Sequence, residues 1–418
     1  LIVLSVGLVL IPVLPKLISG TVPDGVSLYA LYLINLVATV LSYWLFAYKN
    51  SLLMAHQRTD VTNKIQISAY FFRYLIQFVA LFFFKNIYIY FMAALFAQLM
   101  MNLVTFFVTN KMYPHYHPEG NVTKEEKKDI NTHIKDLFTA KLGGTVTNSA
   151  DTVVISAFLG LSVLAVYNNY YYIVSALFGF MTIISHACLA GIGNSLIVET
   201  PEKNYRDFEK FSLFFTWIIG FCTAALFCLI QPFMKIWVHE ENMLDNTYPI
   251  LFCLYFYINE LTVVWATYKD AGGVWHKDRF RPLCVTIVNL GLNLLTVKTF
   301  GLYGVILSTV VSYAFVGMPW MLYNIFTTLF RRSAVKYLLK CALGIAATVA
   351  ACGLSYYGCS FVDFEGIPGL IVKGIVVTVV ANVLFLLVFC WTPEFKGLWQ
   401  ILMSTVNKFI KKKPVENR

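Results

Sequence analysis

Charge is what this sequence has least of. Asp, Glu, Lys and Arg make up 13% of its 418 residues, against roughly 25% in a soluble chain. Its apolar runs do not alternate with polar residues, as the strands of a membrane barrel would. It contains no GxSxG, HExxH or Walker-type loop; AGIGNS at 190–195 has the glycines of a nucleotide loop but no preceding strand. His115, His117 and His133 show no metal-ligand pattern, and no nucleophile has a credible partner. An ordinary soluble domain, a β-barrel and an enzyme with a recognisable catalytic group are thereby disfavoured, and neither a metal nor a cofactor is expected.

What is present is hydrophobic length. About twelve stretches approach the ~20 residues that carry a helix across a bilayer, at 1–19, 28–47, 66–84, 87–109, 138–159, 162–184, 209–234, 247–268, 283–299, 302–327, 336–357 and 367–391. The fold class expected is an all-α polytopic membrane protein.

The net charge of +10 is distributed as for a membrane and not for nucleic acid. Alternate gaps carry Lys49, Arg58 and Lys64; Lys111, Lys124, Lys127, Lys128 and Lys135; Lys203 and Arg206; Lys269, Lys277, Arg279 and Arg281; Arg331 and Arg332; and the tail FIKKKPVENR. The other gaps are short and poor in cations (GTVPDG, KN, GLS, HEENMLDN, KTFG, VDFEG). Lys/Arg bias in short loops sets orientation, so the first set, with the C-terminus, is expected in the cytoplasm. The Asn121 sequon then lies on the wrong side for glycosylation. The nine cysteines lie in or beside apolar spans and read as buried free thiols; a Cys352–Cys359 pair is the one disulfide left open.

The chain repeats itself. Tyr48, Lys49 and His56 return as Tyr268, Lys269 and His276, and Pro12 as Pro232, each 220 residues on. Tyr and Lys at a helix end are ordinary interface anchors, but shared spacing at a shared offset points to duplication. Spans one to four then match spans seven to ten, as parallel halves. Spans five and six precede the second copy, and the chain opens on Leu1 inside an apolar run. Equal halves would place two further helices upstream, giving fourteen. The expected organisation is a four-helix lobe at 1–109, a linker at 110–136, a six-helix lobe at 137–328, a helix pair at 329–391 and a basic tail at 392–418.

Two lobes, a basic linker and an extra pair resemble the multidrug/oligosaccharidyl-lipid/polysaccharide exporter superfamily, and within it the O-antigen and capsule repeat-unit flippases. The stretch LFTAKLGGTVTNSADTVVISAFLGLSVLAVYNNYYYI at 137–173 is similar to the opening of their second lobe, with Asp151, Gly160 and Tyr167 in place. The resemblance implies movement of undecaprenyl-pyrophosphate-linked oligosaccharide across the bacterial cytoplasmic membrane. It also implies membrane lipids as surroundings and the polysaccharide polymerase and chain-length machinery as partners.

Such a substrate needs a polar path for sugar and a cation for pyrophosphate. Lys141, Thr145, Asn148 and Asp151 or Thr152 share one face of span five, and Tyr172, Ser175, Gly179, Thr182 and His186 one face of span six. A polar stripe in a membrane must face protein or water, though small and hydroxyl residues also serve helix packing. Arg73, Asp151 and Glu260 are ionisable groups near mid-membrane, which are functional candidates by default or static ion pairs. The substrate-binding candidates are therefore Arg73, Lys141, Asn148, Tyr172 and His186. Asp151 and Glu260 are candidates for ion coupling or intramembrane pairing. The alternatives are a cation-coupled multidrug antiporter, a membrane polymerase or ligase, and a lipid-sequestering scaffold.

Overall fold

The structure is a computed structural model that describes residues 2–16, 25–56, 58–115 and 123–411. Among these residues there are fourteen α-helices and no strand. They are α1 (Ile2–Leu10), α2 (Leu28–Trp44), α3 (Ala47–Ala55), α4 (Thr59–Val79), α5 (Ile87–Met112), α6 (Lys124–Phe158) and α7 (Leu161–Val198). The second half holds α8 (Pro201–Val238), α9 (Tyr248–Ala271), α10 (Arg281–Ser312), α11 (Met318–Ile325), α12 (Val335–Cys359), α13 (Gly366–Phe389) and α14 (Pro393–Lys411). The chain is a polytopic helical membrane protein.

Among the described residues eight helices are long and apolar enough to cross a membrane, and the bent pair α2–α3 makes a ninth. Each of the twelve expected stretches nonetheless holds a helix within its described residues, the 28–47 stretch being interrupted at 45–46. The 281–330 helix is two spans in one, broken where Gly301 takes φ 56° and ψ −134°, a left-handed backbone glycine adopts without a Cβ clash. The remaining two are the shorter apolar helices Val3–Pro15 and Ser149–Phe158.

The helices gather into two compact units, 1–126 and 127–418. In the first, α5 packs on α2, α3 and α4. The Asn86 side chain caps α5 by accepting from the Tyr88 and Ile89 N–H groups, and the Tyr32 hydroxyl ties α2 to α1 by donating to the Gly7 carbonyl at 2.8 Å. Outward positions of α4, such as Phe71, Phe72, Phe78 and Phe82, are exposed, as suits a surface facing lipid.

The second unit is organised around α8, which packs on α9, α12, α13 and α14. Gly220 makes the approach to α13 close, since a Cβ there would lie 2.1 Å from the Phe385 ring. The Trp265 indole donates to the Tyr337 hydroxyl at 2.7 Å, which donates to Ser212 at 3.1 Å. In a membrane such bonds and close packing replace the hydrophobic effect between helices, at about 0.6 kcal/mol per bond on average.

The cysteines are free thiols, as expected, and the reading of the last segment changes. All nine cysteines are free, Cys352 and Cys359 included; seven residues along α12 separate the two by about 10.5 Å, beyond disulfide reach. The segment after residue 392 is not simply a tail, because α14 lies against α8. Phe395 stacks on Trp217 at 5.8 Å, and Lys340 binds both Glu209 and Glu394. The charge run at 123–130 starts α6 with a capping box. Thr123 donates its N–H and hydroxyl to Glu126, and those donors hold the Glu126 carboxyl below its usual range.

Candidate functional site

The break at Gly301 folds the 281–330 helix into a hairpin whose arms touch through small and polar residues. A Cβ on Gly304 would lie 2.7 Å from the Thr296 hydroxyl. Thr296 and Ser308 are 3.2 Å apart, and the Asn289 amide donates to the Thr309 hydroxyl at 2.8 Å. Asn289 and Asn293 lie four residues apart on one arm, hence on one face, and both are fully buried.

Asp151 on α6 meets both arms. Asn293 donates to its Oδ1 and Thr309 to its Oδ2, each at 2.7 Å. A carboxylate in hydrocarbon must be satisfied in this way or stay empty of charge. One polar atom of the cluster is left over: Asn293 Oδ1 is buried and finds no partner among the described residues. The pocket beside it is lined by Asp151, Thr152, Tyr167, Tyr171, Tyr255, Thr309 and Tyr313. A π-helical turn, Tyr313–Gly317, brings Tyr313 there; such turns are frequent at functional sites.

Size decides what this pocket takes. Its volume is about 20 Å³, where one water needs roughly 10–15 Å³. A headgroup is excluded; a water or a single small cation fits. The ligands its lining offers are a carboxylate and hydroxyl oxygens, the set that suits hard cations and protons rather than soft metals.

The structure gathers few of the residues picked from sequence. Among the described residues of this unit, Asp151, Glu260, Tyr172 and His186 have separate surroundings. Glu260 on α9 is 1% exposed, and its Oε2 has no partner among the described residues. Tyr172 is 67% exposed with its ring 6.2 Å from that of Trp237. His186 is exposed, and Gly179 on the same stripe has nothing within 4 Å of a built Cβ; packing inside the unit does not account for that face. The side chains of Lys141 and Asn148, like that of His133 and the segment holding His117 and Asn121, lie outside the described residues. Arg73, in the first unit, is half-buried on α4. Its guanidinium lies 5.7 Å from the Tyr74 ring, and its buried Nε has no partner among the described residues. Asn289, Asn293 and Thr309 went unnoticed in the sequence; the signal was NLGLN, two amides four apart inside an apolar span.

These features define a multi-pass helical membrane protein with a buried, ion-sized oxygen site. No family model matches the chain, and no curated protein matches it. The chain is similar in fold to a solved structure, the lipid II flippase MurJ in its inward closed conformation, with a TM-score of 0.66 at 13% identity. The match covers 92% of this chain and 80% of that one. The chain thus shares the fold of that MurJ structure.

Proposed function

We propose that this protein is a flippase for lipid-linked oligosaccharides, moving undecaprenyl-pyrophosphate-linked repeat units across the bacterial cytoplasmic membrane by alternating access. The observation that carries the reading is Asp151: a buried carboxylate in a pocket sized for one small ion, within a fold shared with a lipid flippase. A transporter needs such a group to couple movement to an ion gradient, and a proton or sodium is the ion that this pocket suits. Glu260 is a second candidate for the same task.

Arg73 is the proposed pyrophosphate contact, because its guanidinium offers a rigid fork of donors matched to phosphate oxygens. Lys141, Asn148, Tyr172 and His186 are proposed to line the sugar's path, with Lys141 the first cation the headgroup meets. The polysaccharide polymerase and chain-length machinery would act on the delivered substrate, and the C-terminus would lie in the cytoplasm. No side chain is assigned a catalytic role.

The test is the leaflet that holds lipid-linked oligosaccharide when the full-length gene is deleted. Accumulation facing the cytoplasm is expected. Outward-facing single units that fail to polymerise would identify a polymerase or ligase instead, and an unchanged distribution with lost drug resistance would identify a drug antiporter.

A further inference from the structure

The first unit contains a cavity of its own, of about 280 Å³, distinct from the Asp151 pocket in the second unit. Its polar lining is Ser42, Asn50, Thr62, Gln66, Gln98, Asn102 and Thr105, beside Phe46 and Met101. Four amides and three hydroxyls face it, and among the described residues no charged one does. That is an unusual interior for a helical membrane unit, where each polar group must find a partner.

The lining is partly spoken for. Asn102 donates to the Leu41 carbonyl at 2.9 Å and accepts from Gln98 at 3.0 Å. Thr62 donates to Asn50 Oδ1 at 3.3 Å, and Gln66 donates to the Tyr70 hydroxyl at 3.2 Å. These bonds leave Gln66 Oε1 and Gln98 Oε1 as acceptors and the Asn50 amide as donor.

A second observation marks the same place. The span formed by α2 and α3 is broken there, with a bend of 49°. Phe46 sits at the break with φ 55° and ψ 18°, a left-handed backbone that a bulky side chain adopts at a cost. Its ring is held against Phe106, the centroids 4.2 Å apart. The Asn102 amide caps the Leu41 carbonyl at the end of α2. Broken helices in transporters mark places where backbone lines a cavity. At the repeat offset of 220, Phe46 corresponds to Ala266 inside the unbroken α9. Within the described residues the break belongs to the first unit alone.

We propose that this cavity is a saccharide subsite, taking one neutral sugar ring of the lipid-linked substrate. The inference rests on the flippase reading and adds to it where the sugar sits. Amides that both donate and accept match sugar hydroxyls and N-acetyl groups, while Phe46 and Met101 offer an apolar wall to the ring's C–H face. A volume just under the ~300 Å³ floor of ordinary ligand pockets suits a single ring. The absence of charge in the lining disfavours acidic sugars. Gln66 and Arg73 lie seven residues apart on α4, two turns and about 10.5 Å along one face, a spacing that sets a first sugar beyond a diphosphate held at Arg73.

The experiment measures binding by the full-length protein in nanodiscs. The probes are undecaprenyl pyrophosphate alone and the same lipid carrying one N-acetylglucosamine, glucose, galactose or glucuronate. At least one neutral sugar should tighten binding about tenfold over the bare lipid, and glucuronate should not. The Gln66→Met/Gln98→Met double variant should erase that gain and leave bare-lipid affinity unchanged. Should the variant not fold, Ser42→Cys blocked with a maleimide should erase it equally. Equal binding of bare and sugar-bearing lipids, or a gain that survives both changes, overturns the subsite while the flippase reading stands. Binding of no lipid overturns both.

Discussion

Thr309 donates its hydroxyl to Asp151 Oδ2 at 2.7 Å, joining residues 158 positions apart in sequence. Asn293 occupies the other oxygen. The carboxylate thus ties α6 to both arms of the hairpin folded at Gly301. Thr309→Val keeps the shape but removes the donor, which should cost about 1–3 kcal/mol. Asp151→Asn with Thr309→Val should cost less than the two single changes together, because both act on one bond. Thermal unfolding in nanodiscs reads this out, and strictly additive losses would show that the contact carries no coupling.

The same geometry separates binding from stability. Asp151→Asn retains an acceptor for Thr309, so the protein should fold and reach the membrane at normal levels. Transport should fall by tenfold or more, and its dependence on the sodium or proton gradient should vanish. Transport that keeps its ion dependence in this variant would move coupling elsewhere, with Glu260 the next group to test.

A buried ionic knot at the join of α9 and α10 predicts a different outcome. Asp278 is 3% exposed; it binds Arg281 at 2.8 Å and Lys269 at 3.5 Å, and accepts from the Asn324 amide at 3.3 Å. Asp278→Ala strands Arg281 in a largely dry site, while Lys269 keeps Asp270 at 2.9 Å, a loss of about 3–5 kcal/mol. Folded yield should drop sharply. A yield within a factor of two of the parent would mean that water already reaches these groups.

Orientation is checked by single cysteines and an impermeant thiol reagent on intact cells. A cysteine at Glu241 should react, and one at Glu125 should react only after the cells are opened. Glu125 lies exposed at the start of α6, outside any apolar stretch. Reaction at Glu125 in intact cells would invert the assignment of sides.

The helices were legible in the sequence because each span must bury a long apolar run in lipid, and that requirement writes itself locally. Asp151 was legible for the same reason in reverse, since a lone acid in such a run needs a special cause. Asn289, Asn293 and Thr309 were not. Amides and hydroxyls are common packing residues in membrane helices, and only the reversal at Gly301 turns three of them toward one carboxylate. The cavity of the first unit was hidden likewise. Gln66, Gln98 and Asn102 look unremarkable until the break beside Phe46 shows where their helices part. The stripe holding Tyr172 and His186 was read as one face from its periodicity, which could not say that the second unit leaves those two side chains exposed.

Arg73 gives the last prediction. Its Nε is buried without a partner among the described residues, while Asp151 has both oxygens filled within its own unit. Arg73→Ala should therefore leave folded protein in the membrane at near-normal levels, because no stranded carboxylate results. Export should be abolished if the guanidinium holds the pyrophosphate. Arg73→Lys should retain part of it, since lysine keeps the charge but not the paired donors. The measurement is folded protein in the membrane beside export of lipid-linked oligosaccharide, for both variants. Lost protein in Arg73→Ala, restored by neutralising Glu260, would make Arg73 a structural counter-ion. Normal export at normal levels would remove it from the substrate's path and leave the pyrophosphate to another cation, with Lys141 first in line.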